Sequence, residues 1–217
     1  ADNPNAMAWL WKDHTSYVEA QAITEKAAKM RPEFLAKCGG AYSSEWFWSK
    51  IWHCLKVDPQ VFAAAYTWVE LADLIPGLLT DTLAPDKLKR SVCAAGHKGM
   101  FSAQWSGYPD EEFLSSLEPR LGSIRKTLPD IAYTAGEKAG GLSPQWAKRL
   151  GLEEGIAVSV GAFDAHMGAV GAGIKEGTLV KIIGTSTCDV AVAGKARGLP
   201  DVPGVCGIVD GSVLPDY

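Results

Sequence analysis

No stretch of this sequence approaches the ~20 consecutive apolar residues that a membrane-spanning helix needs. No basic-then-apolar leader opens it either, so it is read as a cytoplasmic chain with no membrane role. It lacks a basic patch. The net charge is −4 and the densest cationic group is only Lys87, Lys89 and Arg90, which argues against nucleic acid as a partner. It lacks a CxxC pair. Its five cysteines, odd in number and irregularly spaced, read as free thiols of a reducing compartment. Histidine is scarce, with four in 217 residues. His14, His97 and His166 show neither HxH nor HxxxH spacing, so no metal site is assigned to them or to Asp164. There is no Walker loop, dinucleotide fingerprint, heptad, internal repeat or low-complexity tract.

What is present is an ordinary globular balance, 47% hydrophobic and 21% charged residues, enough for a packed core. The chain opens Ala1-Asp-Asn-Pro-Asn5 and stops at Leu214-Pro-Asp-Tyr217, and both ends read as cuts through a longer protein. Ala6 to Trp11 reads as a short buried strand. Thr15 or Ser16 caps a helix running to about Met30. An aromatic helix follows Ser44-Glu45, another starts at Asp58-Pro59, and a third over Thr67–Leu79 is interrupted by Pro76-Gly77. Residues 91–108 read as loop plus a short strand, 110–117 as a helix, and Ser143-Pro144 as a helix start. Beyond this the texture changes. Residues 155–160 form an apolar strand suited to a sheet covered on both faces, and Thr178–Ile183, Cys188–Ala193 and Val205–Val209 follow as strands. The expected organisation is a helix-rich first part over residues 1–155 and the start of a second α/β domain over 156–217.

Four segments could carry chemistry. In Gly161-Ala-Phe-Asp-Ala-His-Met-Gly-Ala-Val-Gly-Ala-Gly173 an acid sits at a strand-to-helix turn among residues with almost no side chain. Asp164 there can cap the helix, or it can face a ligand that the small residues let close. Lys181-Ile-Ile-Gly-Thr-Ser-Thr187 sets a glycine and three hydroxyls between two strands. That is either a plain hairpin turn or a donor-rich seat for phosphate. Trp9-Leu-Trp-Lys-Asp-His14 puts an indole, an ammonium and a carboxylate at a strand end, either solvated or facing a polyol. Ala95-Gly-His-Lys-Gly99 places a lysine between glycines, either in solvent or in a cleft.

Taken together these segments resemble the FGGY carbohydrate kinases over nearly the whole chain. Residues 161–173 are similar to the family's segment bearing the catalytic aspartate, Gly184-Thr-Ser186 to its second phosphate motif, and Leu10-Trp-Lys-Asp13 to its sugar-side segment. Trp11-Lys-Asp-His-Thr15, Tyr42-Ser-Ser-Glu-Trp-Phe-Trp48, Ala95-Gly-His-Lys98 and Gly184-Thr-Ser-Thr-Cys-Asp189 resemble the branch that acts on L-ribulose. The resemblance implies part of an actin-like, ribonuclease-H-like ATPase fold of α/β class. Residues 1–155 would belong to the N-terminal sugar-binding domain, and 156–217 would hold the hinge and the start of the ATP-binding domain. It implies Asp164 as general base, with Trp11, Asp13, Lys98 and Asp164 on the sugar. Gly184, Thr185, Ser186 and Thr187 would face the γ-phosphate of ATP, which arrives with Mg2+. The family's N-terminal phosphate motif and C-terminal adenosine segment do not occur here, so the piece by itself is expected to be inactive. A kinase for another pentulose or pentitol and a non-catalytic sugar-binding module remain as alternatives, and homo-oligomerisation stays open.

Overall fold

The computed structural model describes residues 2–217. Along the chain run α1 (Tyr17–Met30), α2 (Pro32–Ala36), α3 (Phe47–Val57), α4 (Pro59–Ala64), α5 (Leu71–Thr80), α6 (Val92–Gly99), α7 (Glu111–Leu117) and α8 (Pro119–Arg125). Then come β1 (Lys138–Gly141), α9 (Pro144–Leu150), β2 (Ala157–Ser159), α10 (Asp164–Gly171), β3 (Leu179–Ile183) and β4 (Thr187–Ala191). The chain divides into two compact units. The first is made of the chain up to Leu71, His97–Asp130 and Asp201–Gly207. The second is made of Ala72–Gly96, Ile131–Pro200 and Ile208–Tyr217.

The first unit is helical. In α3 the buried side chains Trp48, Ile51, Trp52 and Leu55 recur at the i, i+3, i+4, i+7 spacing of one helix face. Removing each from water contributes about 1.5–3 kcal/mol. Ile23 and Ala27 of α1, Phe113 and Leu114 of α7, and Leu121 and Ile124 of α8 complete the interior. Phe34 joins them, with its ring centroid 4.8 Å from Trp105 and 5.3 Å from Phe113. The helix starts follow local chemistry. The Asp58 carboxylate accepts from the Val61 amide at 3.1 Å, and Asp110 accepts from Phe113 at 2.7 Å. Residues 201–206 are tied in by distant partners: Lys37 Nζ lies 2.7 Å from Asp201 Oδ1, and the Gly204 amide donates to the Gly39 carbonyl at 2.9 Å.

One buried arrangement governs the end of α6. The last carbonyls of any helix lack intrahelical donors. Here the Tyr42 hydroxyl donates to the Lys98 carbonyl at 2.5 Å and accepts from the Trp48 amide at 2.9 Å. The Trp48 indole N–H donates to the Gly99 carbonyl at 2.9 Å. Trp48 is fully buried, and burial pushes the Tyr42 phenol well above its ordinary range, so the hydroxyl keeps its proton.

The second unit is α/β. β1 and β2 pair antiparallel, as do β3 and β4, whose register runs from Leu179 opposite Ala191 to Ile183 opposite Thr187. α10 lies on the β3–β4 hairpin, sharing a small core of Ala169, Ile174 and Val190. Gly168 permits that approach, because a Cβ there would stand 3.2 Å from Ile182 Cδ1. Buried Asp73 of α5 accepts from the Ser91 amide at 2.7 Å and lies 3.6 Å from Arg90 Nη1. Pro76 sits inside α5, where it has no N–H to give the Ala72 carbonyl. Gly161 comes against that same carbonyl: a Cβ at 161 would lie 1.9 Å from it.

Five sequence expectations are corrected. Residues 6–11 are not a strand. They lack a pairing partner, and Leu10 and Trp11 are 67% and 43% exposed. Residues 92–99 are helix rather than loop, because Gly96 and Gly99 serve contact and not turning. A Cβ on Gly96 would meet Val209 Cγ1 at 2.4 Å, and one on Gly99 would meet Tyr108 Cε1 at 2.6 Å. Residues 205–209 form no strand, and Val209 packs on Gly96 instead. The strand over 155–160 shrinks to three residues of an antiparallel pair with both outer positions exposed, so it is not covered on both faces. Helix α8 was absent from the sequence reading, and α5 continues through Pro76-Gly77.

Two outcomes follow from this packing. Tyr42→Phe leaves a buried carbonyl and a buried amide without their partner. It is expected to lower unfolding free energy by about 1–3 kcal/mol, read as a lower urea midpoint with an unchanged slope. Gly161→Ala drives a methyl into backbone that has no side chain to yield, and is expected to cost at least ~1–3 kcal/mol in the same measurement. A wild-type midpoint for either variant would contradict the contact it tests.

Candidate active-site segments

In the first unit the Leu10–Asp13 segment closes as a turn, with the Asp13 amide donating to the Leu10 carbonyl at 3.1 Å. The Asp13 carboxylate accepts from the Thr15 hydroxyl at 2.5 Å and the Thr15 amide at 2.8 Å. The hydroxyl, then the amide, hold its carboxyl below the usual range. Burial opposes them and the charges of Lys50 and His53 assist. Trp11 points into solvent, and Lys12 Nζ sits 5.5 Å from its ring centre.

Lys98 is half-buried at the end of α6, where the Tyr42 and Trp48 bonds fix its main chain. Its ammonium lies 3.3 Å from the Glu70 carboxylate. Lys50 of α3 donates to the Asp13 carbonyl at 2.7 Å. Burial lowers the Lys50 pKa; Asp13 opposes that shift, Lys98 reinforces it, and Glu45 and Glu70 oppose it. Asp13 and Lys98 therefore both fall within charge range of Lys50, while Trp11 meets Lys12. Sequence reasoning missed Lys50 and Glu70. Lys50 lies in the aromatic segment around Trp48, where the indoles dominate the pattern. Glu70 stands just before α5 with no local signature.

In the second unit Asp164 is exposed and is the first residue of α10. The capping position belongs to Phe163, and the Asp164 carboxylate accepts from the adjacent Ala165 amide at 2.8 Å. Of the two roles open to Asp164 in the sequence, helix cap or ligand-facing acid, the cap is thus not formed. His166, one helical step on, is buried, and burial lowers its pKa against the pull of Asp164. Its ring packs edge-on to Phe163, with centroids 5.6 Å apart.

Gly184, Thr185 and Ser186 make the tip of the β3–β4 hairpin, and Thr187 opens β4. All four are exposed, and the Gly184 amide donates to the Ser186 carbonyl at 2.9 Å. A Cβ on Gly184 would find nothing nearer than that carbonyl at 3.8 Å. The space beside the turn is therefore open, and three hydroxyls border it, which suits an oxyanion such as a phosphate. Burial first, then Asp189 and Asp164, raise the thiol pKa of Cys188, the residue after the turn. Asp164 thus lies within charge range of Cys188. Among the described residues no helix is long and apolar enough to cross a membrane.

Residues 1–171 match the family model for the N-terminal domain of the FGGY family of carbohydrate kinases. The chain is 49% identical over 216 residues to the ribulokinase of Vibrio parahaemolyticus, a match covering 99% of this chain and 38% of that protein. It is 38% identical over 219 residues to the ribulokinase of Shouchella clausii, covering all of this chain and 37% of that one. The chain thus spans less than two fifths of the length of these relatives. The solved xylulose kinase of Bifidobacterium adolescentis superposes with a TM-score of 0.70 at 16% identity, over 86% of this chain and 42% of that one. That of Brucella ovis gives 0.65 at 21%, over 84% and 34%. At such identities the likeness shows the fold, part of the α/β, actin-like and ribonuclease-H-like ATPase architecture of sugar kinases. The family match over most of the sequence, with the shared fold, means that this chain belongs to the FGGY family of carbohydrate kinases.

Proposed function

We propose that the chain is part of an ATP-dependent kinase that phosphorylates L-ribulose at its 5-hydroxyl, a cytoplasmic step of L-arabinose breakdown. The observation that carries this reading is the 49% identity, over nearly the whole chain, to a protein named ribulokinase. We place residues 1–155 in the sugar-binding domain and 156–217 in the hinge and the start of the ATP-binding domain. The N-terminal family match ending at residue 171 supports that order. The piece alone, 38% of its relative's length, is proposed not to turn over ATP.

Phosphoryl transfer asks a protein mainly to position the groups and to stabilise charge. It also needs an acceptor for the proton of the attacking hydroxyl. Asp164 is the proposed acceptor. Its carboxylate is exposed at the first turn of α10 and oriented by the Ala165 amide. As the hydroxyl oxygen bonds to phosphorus and the bond to ADP breaks, the hydroxyl proton passes to an Asp164 oxygen. Gly184, Thr185, Ser186 and Thr187 are the proposed partners of the γ-phosphate, supported by the open space and hydroxyls at the hairpin tip. Magnesium enters with ATP and screens its phosphate charge. No protein ligand is assigned to it. In the first unit Lys98 and Asp13 are the proposed partners of sugar hydroxyls, and the exposed Trp11 ring offers an apolar face to the carbon chain.

The test is ADP release by the full-length protein with magnesium ATP and L-ribulose, beside Asp164→Asn. Loss of a general base is expected to lower kcat by ~100- to 10,000-fold while the sugar still binds. An unchanged rate would remove Asp164 from the chemistry. A higher kcat/KM for another pentulose would move the substrate and leave the kinase.

A further inference from the structure

Lys98 reaches its surroundings through a long side chain from a main chain held by buried hydrogen bonds. The Tyr42 hydroxyl holds its carbonyl at 2.5 Å, and the Trp48 indole holds the next carbonyl at 2.9 Å. What remains to be fixed is the run of side-chain torsions, the flexible part of any lysine. The ammonium pairs with the Glu70 carboxylate at 3.3 Å, with both side chains part-buried, 23% and 19% exposed.

A second cation makes this contact consequential. Lys50 lies close enough to Lys98 for the two ammonium groups to disfavour each other, and Glu70 acts favourably on both. Lys50 is further steadied by Asp13 and Glu45. Removing the Glu70 charge would take away the pull of this contact on the Lys98 ammonium and leave the repulsion from Lys50 less balanced.

We infer that Glu70 is a positioning residue, whose carboxylate aims the Lys98 ammonium at a hydroxyl of the polyhydroxylated substrate. This rests on the reading of Lys98 as a sugar ligand. A contact made alike in the bound ground state and the transition state changes KM and leaves kcat alone. Glu70→Gln keeps the side-chain volume and an oxygen that can accept from the ammonium, so the part-buried contact is weakened rather than broken and little stability is lost. The two properties together separate aiming from scaffolding.

The experiment is steady-state kinetics on the full-length protein with varied L-ribulose. It compares wild type, Glu70→Gln, Glu70→Asp, Lys98→Met and the Glu70→Gln/Lys98→Met double variant, with melting temperatures alongside. Glu70→Gln is expected to raise KM about tenfold, the scale of a weakened hydrogen bond to a charged group, at near-constant kcat and melting temperature. Glu70→Asp, which keeps the charge, is expected to recover part of that rise. The double variant should be no worse than Lys98→Met, because the aim is lost with the group aimed. If Lys98→Met raises KM while Glu70→Gln keeps the wild-type value, the inference falls and the sugar role of Lys98 stands. If Lys98→Met itself leaves KM unchanged, the reading of Lys98 fails and takes the inference with it. A Glu70→Gln melting temperature lowered in step with activity would make Glu70 a structural residue and overturn its positioning role.

Discussion

The hydrogen-bonded closure of α6 by Tyr42 and Trp48 is the constraint on which the first unit's chemistry depends. A helix end is a cluster of acceptors that must be satisfied. Here the donors come from a buried phenol and a buried indole of another segment, so satisfying them also fixes where the end of α6 sits. The Tyr42 hydroxyl uses both its donor and its acceptor, which joins the start of α3 to the end of α6 through one atom. Tyr42 and Trp48 are thus the mounting for the lysine at 98. Two segments that read separately in the sequence form one device in space.

Legibility followed the range of the interactions. The starts of α4 and α7 could be read because Asp58 and Asp110 accept from amides three residues on, and that of α9 because Pro144 stands at its first position, although Ser143 makes no side-chain capping bond there. The β3–β4 hairpin could be read because β-branched runs flank a short polar tip. Where a residue's reason lay elsewhere in the chain, local reading failed. Gly96 and Gly99 looked like breaks, yet they make room for Val209 and Tyr108 inside a helix. The apolar runs at 6–11 and 205–209 looked like strands, but a strand needs a partner and none stands beside them.

The candidate site divides the same way. Asp164 was legible from its place among residues of minimal size. Of the two roles its position left open, the cap falls to Phe163 and the Asp164 carboxylate stays exposed. Asp13 and Lys98 were legible through segment similarity. Lys50 and Glu70 were not, because their interest lies in a charge balance that exists only once α3, the turn at Asp13 and the end of α6 have come together.

The first unit also imposes an order in time. Lys37 is paired with Asp201, 164 positions later, and the Gly39 carbonyl waits for the Gly204 amide. A ribosome adding ~5–20 residues per second needs roughly ten to thirty seconds to cover that distance. For that interval the nascent helices around Gly39 have to persist with one flank bare, in reach of chaperones and proteases. Completion of the first unit is therefore set by the arrival of a segment made long after its own helices, and synthesis speed between the two becomes part of how this chain acquires its shape.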